Sequence, residues 1–154
     1  MFPDFYTELA KTIRGKSKQF GSFDFSFFVK NGFISPTSVS LPEGQYALYQ
    51  NDKYSINSTM ILQRQRIGMA YCYGAKTSGI SDEMIFSTST MIQNNPVIQG
   101  LNRFALELLM PKEEILILIN MGRTAEEIYN YFYVTQSFGD ARLNMLKNST
   151  GDIL

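Results

Sequence analysis

The stretch that decides the fold runs from Pro96 to Pro111 and reads PVIQGLNRFALELLMP. Its apolar side chains recur every three or four positions, namely at Val97, Leu101, Phe104, Ala105, Leu108 and Leu109. This spacing predicts an amphipathic helix with one apolar face. Proline is tolerated at the first helical position and ends a helix further along, so Pro96 and Pro111 set the two bounds.

Three further helices are predicted after Pro111. The first is very apolar and stops at Gly122, a residue type common just beyond helix ends. Thr124 and Glu127 have the spacing of a capping box, which marks the start of the second. A short break then precedes the third. The three helices are expected at Lys112–Met121, Thr124–Phe132 and Gln136–Lys147.

Before Pro96 the spacing of the apolar residues changes several times along the chain. Phe5, Leu9 and Ile13 lie one helical turn apart, which predicts a first helix over 3–18. Alternating phenylalanines then predict a strand over 23–28, and Asn31–Gly32 predicts a turn. A second extended segment is expected over 33–41, interrupted by Pro36.

A hairpin and another helix complete the first half. The segments 45–49 and 53–56 flank Asn51–Asp52, a turn signal between two strands. A helix follows over 59–73, with Asn57, Ser58 or Thr59 as its N-cap. The polar stretch 87–95 has no strong period and is left as a loop, with a short strand as the alternative. The fold class is therefore α+β: one domain, 1–154, with a small antiparallel sheet packed on several helices.

Composition narrows the function mainly by exclusion. Among 154 residues there is no histidine, which removes the Ser-His-Asp triad, the Cys-His pair and every His-ligated zinc site. One cysteine excludes an intramolecular disulfide. Fourteen basic and 14 acidic residues give a net charge of +0, so no global field favours nucleic acid or anionic lipid. No signal peptide or membrane span is predicted, and a cytoplasmic protein is expected.

The C-terminal half carries segments similar to those of a known family. The sequence from Asn102 to Pro111 resembles the AN-x-FA-x-x-LLMP segment of the ImmA/IrrE metallopeptidases. Thr124–Thr135 resembles the family's eelA-x-x-F-x-VS segment, and Ala141–Leu146 its closing RL-x-x-L. The resemblance covers about 33–147 and implies a zincin-like fold. Active members of the family typically act on helix-turn-helix repressors of mobile elements and stress responses.

The catalytic motif of that family is degenerate here. Its metal helix carries H-E-x-G-H, in which two histidines bind zinc and the glutamate activates water. The matching stretch is Gln65–Met69, which retains only Gly68 and places Arg66 where the general base would be. The family's third ligand is a glutamate just before AN-x-FA, and 97–101 contains no carboxylate. No catalytic residue, metal or cofactor is therefore expected.

The leading hypothesis is a pseudoenzyme that keeps a peptidase-like fold as a regulatory or binding module. The resemblance implies a protein partner, such as a helix-turn-helix repressor of a phage or mobile element, and a role in transcription regulation. The former substrate groove is the expected contact surface; the alternative is that its residues plug a dead site. The predicted groove residues are Gln65, Arg66, Met69, Tyr71 and Tyr73.

Two other functions are weaker. The helix pair 124–147 has the outline of a DNA-binding helix-turn-helix, but its second helix offers only Arg142 and Lys147 as cations, beside Asp140. A different enzyme lacks a mechanism, because Cys72 has no histidine to activate it. The pairs Glu113–Glu114 and Glu126–Glu127 are expected to serve helix N-termini. Tyr129, Tyr131 and Tyr133 cannot all face one core, so at least one should be exposed for a partner or for self-association.

Overall fold

A computed structural model describes residues 4–32 and 34–150, with the backbone alone for the last two, and shows an α+β fold. The helices are α1 (Phe5–Ser17), α2 (Ser26–Lys30), α3 (Leu62–Thr77), α4 (Pro96–Leu109), α5 (Lys112–Asn120), α6 (Ala125–Phe132) and α7 (Gln136–Thr150). The strands are β1 (Pro36–Val39), β2 (Gln45–Gln50), β3 (Lys53–Asn57) and β4 (Met84–Ser87). A 3-10 turn covers Thr90–Ile92.

The sheet is mixed, with the strand order β1-β3-β2-β4. The predicted β2–β3 hairpin is confirmed, and both turn residues, Asn51 and Asp52, have positive φ angles. The prediction of an antiparallel sheet is wrong for β1, which pairs parallel with β3. Asn57 at the end of β3 bonds both backbone groups of Leu41, in the segment after β1. This link holds the ends of β1 and β3 side by side, so the two strands run in the same direction.

The predicted strand over 23–28 is wrong, because the chain turns there and enters α2. A carboxylate oxygen of Asp24 accepts hydrogen bonds from the backbone N–H and the hydroxyl of Ser26. Such a local turn competes with strand pairing and diverts the backbone. Phe23 and Phe25 are buried from the turn and Phe28 from the helix, whereas Phe27, the third phenylalanine of the apparent alternation, is exposed.

Helix α3 begins and ends later than predicted. Asn57 does not cap it; its side-chain oxygen accepts from the backbone and hydroxyl of Thr59 instead. The helix therefore starts only at Leu62. At the other end the helix continues through Gly74 to Thr77, and a β-carbon at Gly74 would lie 2.7 Å from the ring of Phe104 on α4. Glycine at this position permits the close contact of α3 with α4.

The second half of the chain follows the predictions closely. Helix α4 begins at Pro96 and packs on α1 and α3 with Leu101, Phe104 and Leu108 fully buried. Both hydrogen bonds of the capping box between Thr124 and Glu127 are present at the start of α6. The last helix extends to Thr150. The stretch left as a loop holds the end of β4 and the 3-10 turn.

Helix α1 confirms the prediction from the 5, 9, 13 spacing, and Asp4 caps it by accepting from the N–H groups of Tyr6 and Thr7. Pro3 and Phe33, the predicted first residues of two elements, lie outside the described residues. Within the described part of the chain, no helix combines the length and apolar character needed to cross a membrane.

Candidate functional site

The N-terminal half of α3 carries three of the predicted groove residues. The side-chain amide of Gln65 donates to the backbone oxygen of Met60 at 2.8 Å, so it folds back onto the loop before the helix. Met69 is partly buried and packs against the core. An amide oxygen and a thioether are poor donors for zinc, and here the amide nitrogen of Gln65 is hydrogen-bonded locally while Met69 packs against the core.

Arg66 lies in an aromatic box. Its guanidinium carbon is 5.4 Å from the ring centre of Phe25 and 5.8 Å from that of Tyr133, both within cation–π range. One terminal nitrogen donates to the backbone oxygen of Phe23 at 2.7 Å. Arg66 is therefore a packed cation that joins α3 to the segment before α2 and to the end of α6.

The rest of the Arg66 guanidinium is poorly satisfied. Its Nε and Nη2 atoms are buried and have no hydrogen-bond partner among the described residues. Burial lowers the pKa of Arg66, and the nearby Tyr133 and Asp24 only partly oppose that effect. Arg66 as a whole is half-buried, and a partly desolvated charge without a carboxylate partner is unusual, because desolvation is costly unless a counter-ion offsets it.

Tyr71 and Tyr73, two of the predicted groove residues, are buried in the core. Tyr71 is 1% exposed; its hydroxyl donates to Asn102 on α4 and its ring stacks on Phe86. Tyr73 is 4% exposed and lies against Phe28 and Phe104. Burial raises the pKa of Tyr73 to about 12. The two rings hold α3 in the fold, because Tyr71 contacts α4 and the sheet, and Tyr73 contacts α2 and α4.

One aromatic cluster covers the side of α3 on which the groove was expected. Phe23, Phe25 and Phe28, hereafter the aromatic cover, are all buried. Phe25 faces Arg66 and Phe28 faces Tyr73, two α3 residues that are seven positions apart and therefore on the same side of the helix. The predicted groove residues have different surroundings: the aromatic cover contacts Arg66 and Tyr73, whereas Tyr71 stacks on Phe86 of β4.

The family's third zinc ligand would lie close to residues 97–101. This stretch contains no donor group aimed at α3. Val97 is exposed, Ile98 is buried, and the α-carbon of Gly100 lies against the ring of Tyr6 on α1. Among the described residues, no three His, Cys, Asp or Glu side chains group closely enough to hold a metal ion. The expected absence of a cofactor stays a prediction.

An apolar cavity lies elsewhere, between α5 and α6. This α5–α6 groove has a volume of about 700 Å³. Phe20 is 78% exposed at its edge, Ile117 and Met121 are each 59% exposed on α5, and Tyr131 is 44% exposed on α6. The full lining is Phe20, Glu114, Ile117, Leu118, Met121, Arg123, Glu127, Asn130 and Tyr131.

A buried ion pair positions one edge of the groove. Arg14 on α1 pairs with Glu114 on α5 at 3.1 Å, and both side chains are largely buried. Arg14 also donates to the backbone oxygen of Gly21 at 2.9 Å, while the N–H of Gly21 donates to Glu114 at 2.7 Å. The two charges therefore hold the loop after α1 against α5. Phe20 precedes Gly21 in that loop and is kept at the mouth of the groove.

Sequence reasoning missed this groove, although two signals were available. Five consecutive apolar residues, 115–119, cannot all face inward on a helix, and Ile117 is the one most exposed in the structure. The predicted exposure of at least one tyrosine among three is confirmed: Tyr129 is buried, while Tyr131 and Tyr133 are exposed. Phe20 had no signal, because its exposure depends on the contact of Arg14 and Glu114, 100 positions apart.

The helix pair α6–α7 does not present the cation that DNA binding requires. Arg142 is buried, pairs with Glu107 on α4 at 2.8 Å and donates to the backbone oxygen of Met110. It is a structural link between α7 and α4 and cannot contact phosphate in this conformation. Lys147 is the remaining exposed cation in the described side chains of α7. Phosphate contacts dominate DNA affinity, so one exposed lysine gives little.

The other candidate groups are explained by local structure. Cys72 is buried, and burial raises the pKa of its thiol, which disfavours the reactive thiolate. Glu127 serves the capping box and Glu114 the ion pair with Arg14. Glu113 and Glu126 are exposed in the first turns of α5 and α6. The carboxylate pairs thus occupy helix N-termini as predicted.

Comparison with known proteins found no matching family model, no similar curated protein and no similar solved structure.

Proposed function

We propose that this chain is a catalytically inactive, peptidase-like protein that acts by binding another protein. The observation that carries the proposal is the α5–α6 groove, edged by four large apolar side chains that the fold leaves exposed: Phe20, Ile117, Met121 and Tyr131. A contiguous exposed apolar patch on a folded domain typically marks an interaction site. Phe, Tyr and Met are also enriched at protein contacts.

The resemblance to the ImmA/IrrE metallopeptidases supports the peptidase-like part of the proposal. In the zincin-like arrangement proposed here, α3 is the former metal helix and lies against α4, which carries the NRFALELLMP stretch. The contacts of Tyr71 with Asn102 and of Gly74 with Phe104 join those two helices. Arg66, at the position of the general base, is engaged by the aromatic cover.

The partner that we propose is a protein, with a helix-turn-helix repressor of a mobile element as the first candidate. In this proposal the α5–α6 groove replaces the former substrate groove as the contact surface, because the aromatic cover already packs on Arg66 and Tyr73 of α3. A homo-oligomer that uses the same surface is the other arrangement to be tested.

A pull-down with a matched pair of variants tests the proposal. Ile117→Glu places a charge in the groove, whereas Ile92→Glu changes an isoleucine that is 84% exposed outside it. The native chain and the Ile92→Glu variant should retain the same specific partner, identified by mass spectrometry, and Ile117→Glu should lose it. Equal retention by both variants contradicts binding at the groove.

Two further measurements separate this function from its competitors. A gel shift at low salt should show no DNA binding, and a shift that Lys147→Glu abolishes would favour the helix pair α6–α7. Metal analysis of the native protein should find no stoichiometric zinc. Zinc bound at one equivalent contradicts the pseudoenzyme proposal directly.

A further inference from the structure

We propose that Arg66 is a binding site for a carboxylate group, which the Nε and Nη2 atoms of its guanidinium hold together. The site lies on α3 beside the aromatic cover, and none of the residues that line the α5–α6 groove belongs to it. It therefore goes beyond the proposed function and does not depend on it. Three features support the site: the hydrogen bonds of the guanidinium, the residues that enclose it and the charge nearby.

The hydrogen bonds of Arg66 leave one edge of its guanidinium without a partner. Nη1 donates to the backbone oxygen of Phe23 at 2.7 Å. Nε and Nη2 are buried, and neither has a hydrogen-bond partner among the described residues. These two nitrogens share one edge of the planar group, and their N–H bonds run parallel, which matches the two oxygens of a carboxylate. The unpaired edge is thus the part of arginine that binds a carboxylate through two hydrogen bonds.

The surroundings of Arg66 supply no acceptor for this edge. The rings of Phe25 and Tyr133 contribute cation–π contacts, which use no N–H group. Buried N–H groups without an acceptor destabilise a fold, and in most proteins such groups bind a protein atom, a water or an ion. A carboxylate supplies two acceptors together with a counter-charge for the guanidinium, whereas a neutral acceptor supplies no charge. The edge therefore favours a carboxylate.

Tyr133 is the part of the enclosure that can move to admit a ligand. Phe23 and Phe25 are 0% and 6% exposed, whereas Tyr133 is 40% exposed. Tyr133 directly follows α6 and has a φ angle of 58°. Turning its ring into solvent separates it from Arg66 and leaves the buried rings in place. The ligand therefore enters on the side of Tyr133, and an apolar substituent on the carboxylate replaces that ring near Phe25.

The carboxylate of Asp24 is near Arg66 but does not occupy this edge. Asp24 and Arg66 influence each other's pKa, each favouring the charged form of the other. One oxygen of Asp24 instead accepts from the backbone N–H and the hydroxyl of Ser26, and the side chain is exposed. Asp24 repels an incoming anion, so its neutralisation should strengthen binding of a carboxylate ligand.

Benzoate and benzamide test the proposal on the full chain, because they share one shape and only benzoate is a carboxylate. Benzoate should shift the NMR signal of the Arg66 Nε–H group with a dissociation constant on the order of 1 mM. Benzamide should bind at least about tenfold more weakly, because it lacks the charge and the second acceptor. Arg66→Met identifies the signal, since it removes that N–H group.

A short peptide that ends in phenylalanine distinguishes two sources of the carboxylate. Its free C-terminal form should bind at least about tenfold more tightly than its C-terminal amide. An affinity above that of benzoate assigns the site to a peptide terminus, and a lower one assigns it to a small organic acid. Both results retain the carboxylate site.

Four variants locate the contact. Arg66→Met should abolish benzoate binding, and Arg66→Lys should weaken it at least about tenfold, because an ammonium lacks the parallel pair of N–H groups. Asp24→Asn should strengthen it several-fold. Arg64→Met is the matched control on the same helix and should leave the affinity unchanged.

Two results overturn the proposal. One is equal binding of benzoate and benzamide, or no shift of the Arg66 Nε–H signal at about ten times the expected dissociation constant. The other is benzoate binding that persists in Arg66→Met. If Arg66→Met does not fold, the signal of the native chain and the comparison of Asp24→Asn with Arg64→Met decide instead. Equal affinities of those two variants would then contradict a ligand at Arg66.

Discussion

The aromatic cover and the α5–α6 groove contain the same kinds of side chain, but those of the cover are buried and those of the groove are exposed. In the cover, Phe23, Phe25 and Phe28 are buried over α3, and Arg66 is enclosed with them. At the groove, Phe20 and Tyr131 are exposed beside two apolar residues of α5. Phe20 and Phe23 are only three positions apart, so the difference does not come from local sequence preference.

The difference comes from where the chain is anchored. Arg14 and Glu114 fix Gly21 against α5, which leaves Phe20 outside the fold, and the turn at Asp24 then directs the next rings inward. Burying a large apolar side chain contributes about 1.5–3 kcal/mol. In the cover this free energy stabilises the fold. The exposed side chains of the groove do not make this contribution to folding. A partner that buried them would gain it on binding.

The largest effect is expected from the two phenylalanines on either side of this boundary. Phe23→Ala removes a ring that is 0% exposed and should lower the free energy of unfolding by about 3–5 kcal/mol. Phe20→Ala removes a ring exposed to solvent and should change it by less than about 0.5 kcal/mol. Urea denaturation of both variants measures the contrast. Comparable losses for the two would mean that Phe20 also belongs to the core.

A second contrast concerns the charge inside the cover. Arg66→Glu places an anion among aromatic rings and should destabilise the fold by about 3 kcal/mol or more. Arg66→Met keeps the volume, loses one hydrogen bond to Phe23 and removes two nitrogens that have no hydrogen-bond partner among the described residues, so its cost should stay within about 1 kcal/mol. The same urea titration compares them. If the methionine variant is as unstable as the glutamate one, the guanidinium makes a specific bond that the rings do not explain.

The elements that local sequence determines were predicted well. Pro96 and the apolar stripe fixed α4, and the hydrogen-bonding partners Thr124 and Glu127 lie within one turn of α6. The hairpin around Asn51 and Asp52 is equally local. In each case a few neighbouring residues supply the donors, acceptors or φ angles that the element needs.

The errors and omissions concern contacts between distant parts of the chain. The alternation of Phe23 and Phe25 looked like a strand, because nothing nearby shows that α3 lies under both rings. The parallel pairing of β1 with β3 joins distant residues, and so does the bond from Leu41 to Asn57, 16 positions away. The candidate site shifted for the same reason: the burial of Tyr71 and Tyr73 is set by α4, α2 and the sheet. Whether the protein is a pseudoenzyme stays a prediction.

A smaller effect is expected at the start of α6, the helix that forms one side of the α5–α6 groove. Thr124→Ala removes the hydroxyl that accepts from the N–H of Glu127 and should cost about 1 kcal/mol, because the first turn of α6 loses its cap. Thr124→Ser keeps the hydroxyl and should cost much less. Thermal unfolding followed by circular dichroism measures both. A serine variant as unstable as the alanine one would show that the methyl group, and not the cap, matters.

The smallest expected effect gives the sharpest test of the comparison. Ile117→Glu and Ile92→Glu should each change the free energy of unfolding by less than about 0.5 kcal/mol, because both side chains are mostly in solvent already. The two variants should therefore match in urea denaturation while they differ in partner binding. If Ile117→Glu costs more than about 2 kcal/mol while Ile92→Glu remains neutral, the groove is closed in solution by the chain's own residues. The aromatic cover and the α5–α6 groove would then no longer differ, since the side chains of both would be buried and would stabilise only the fold.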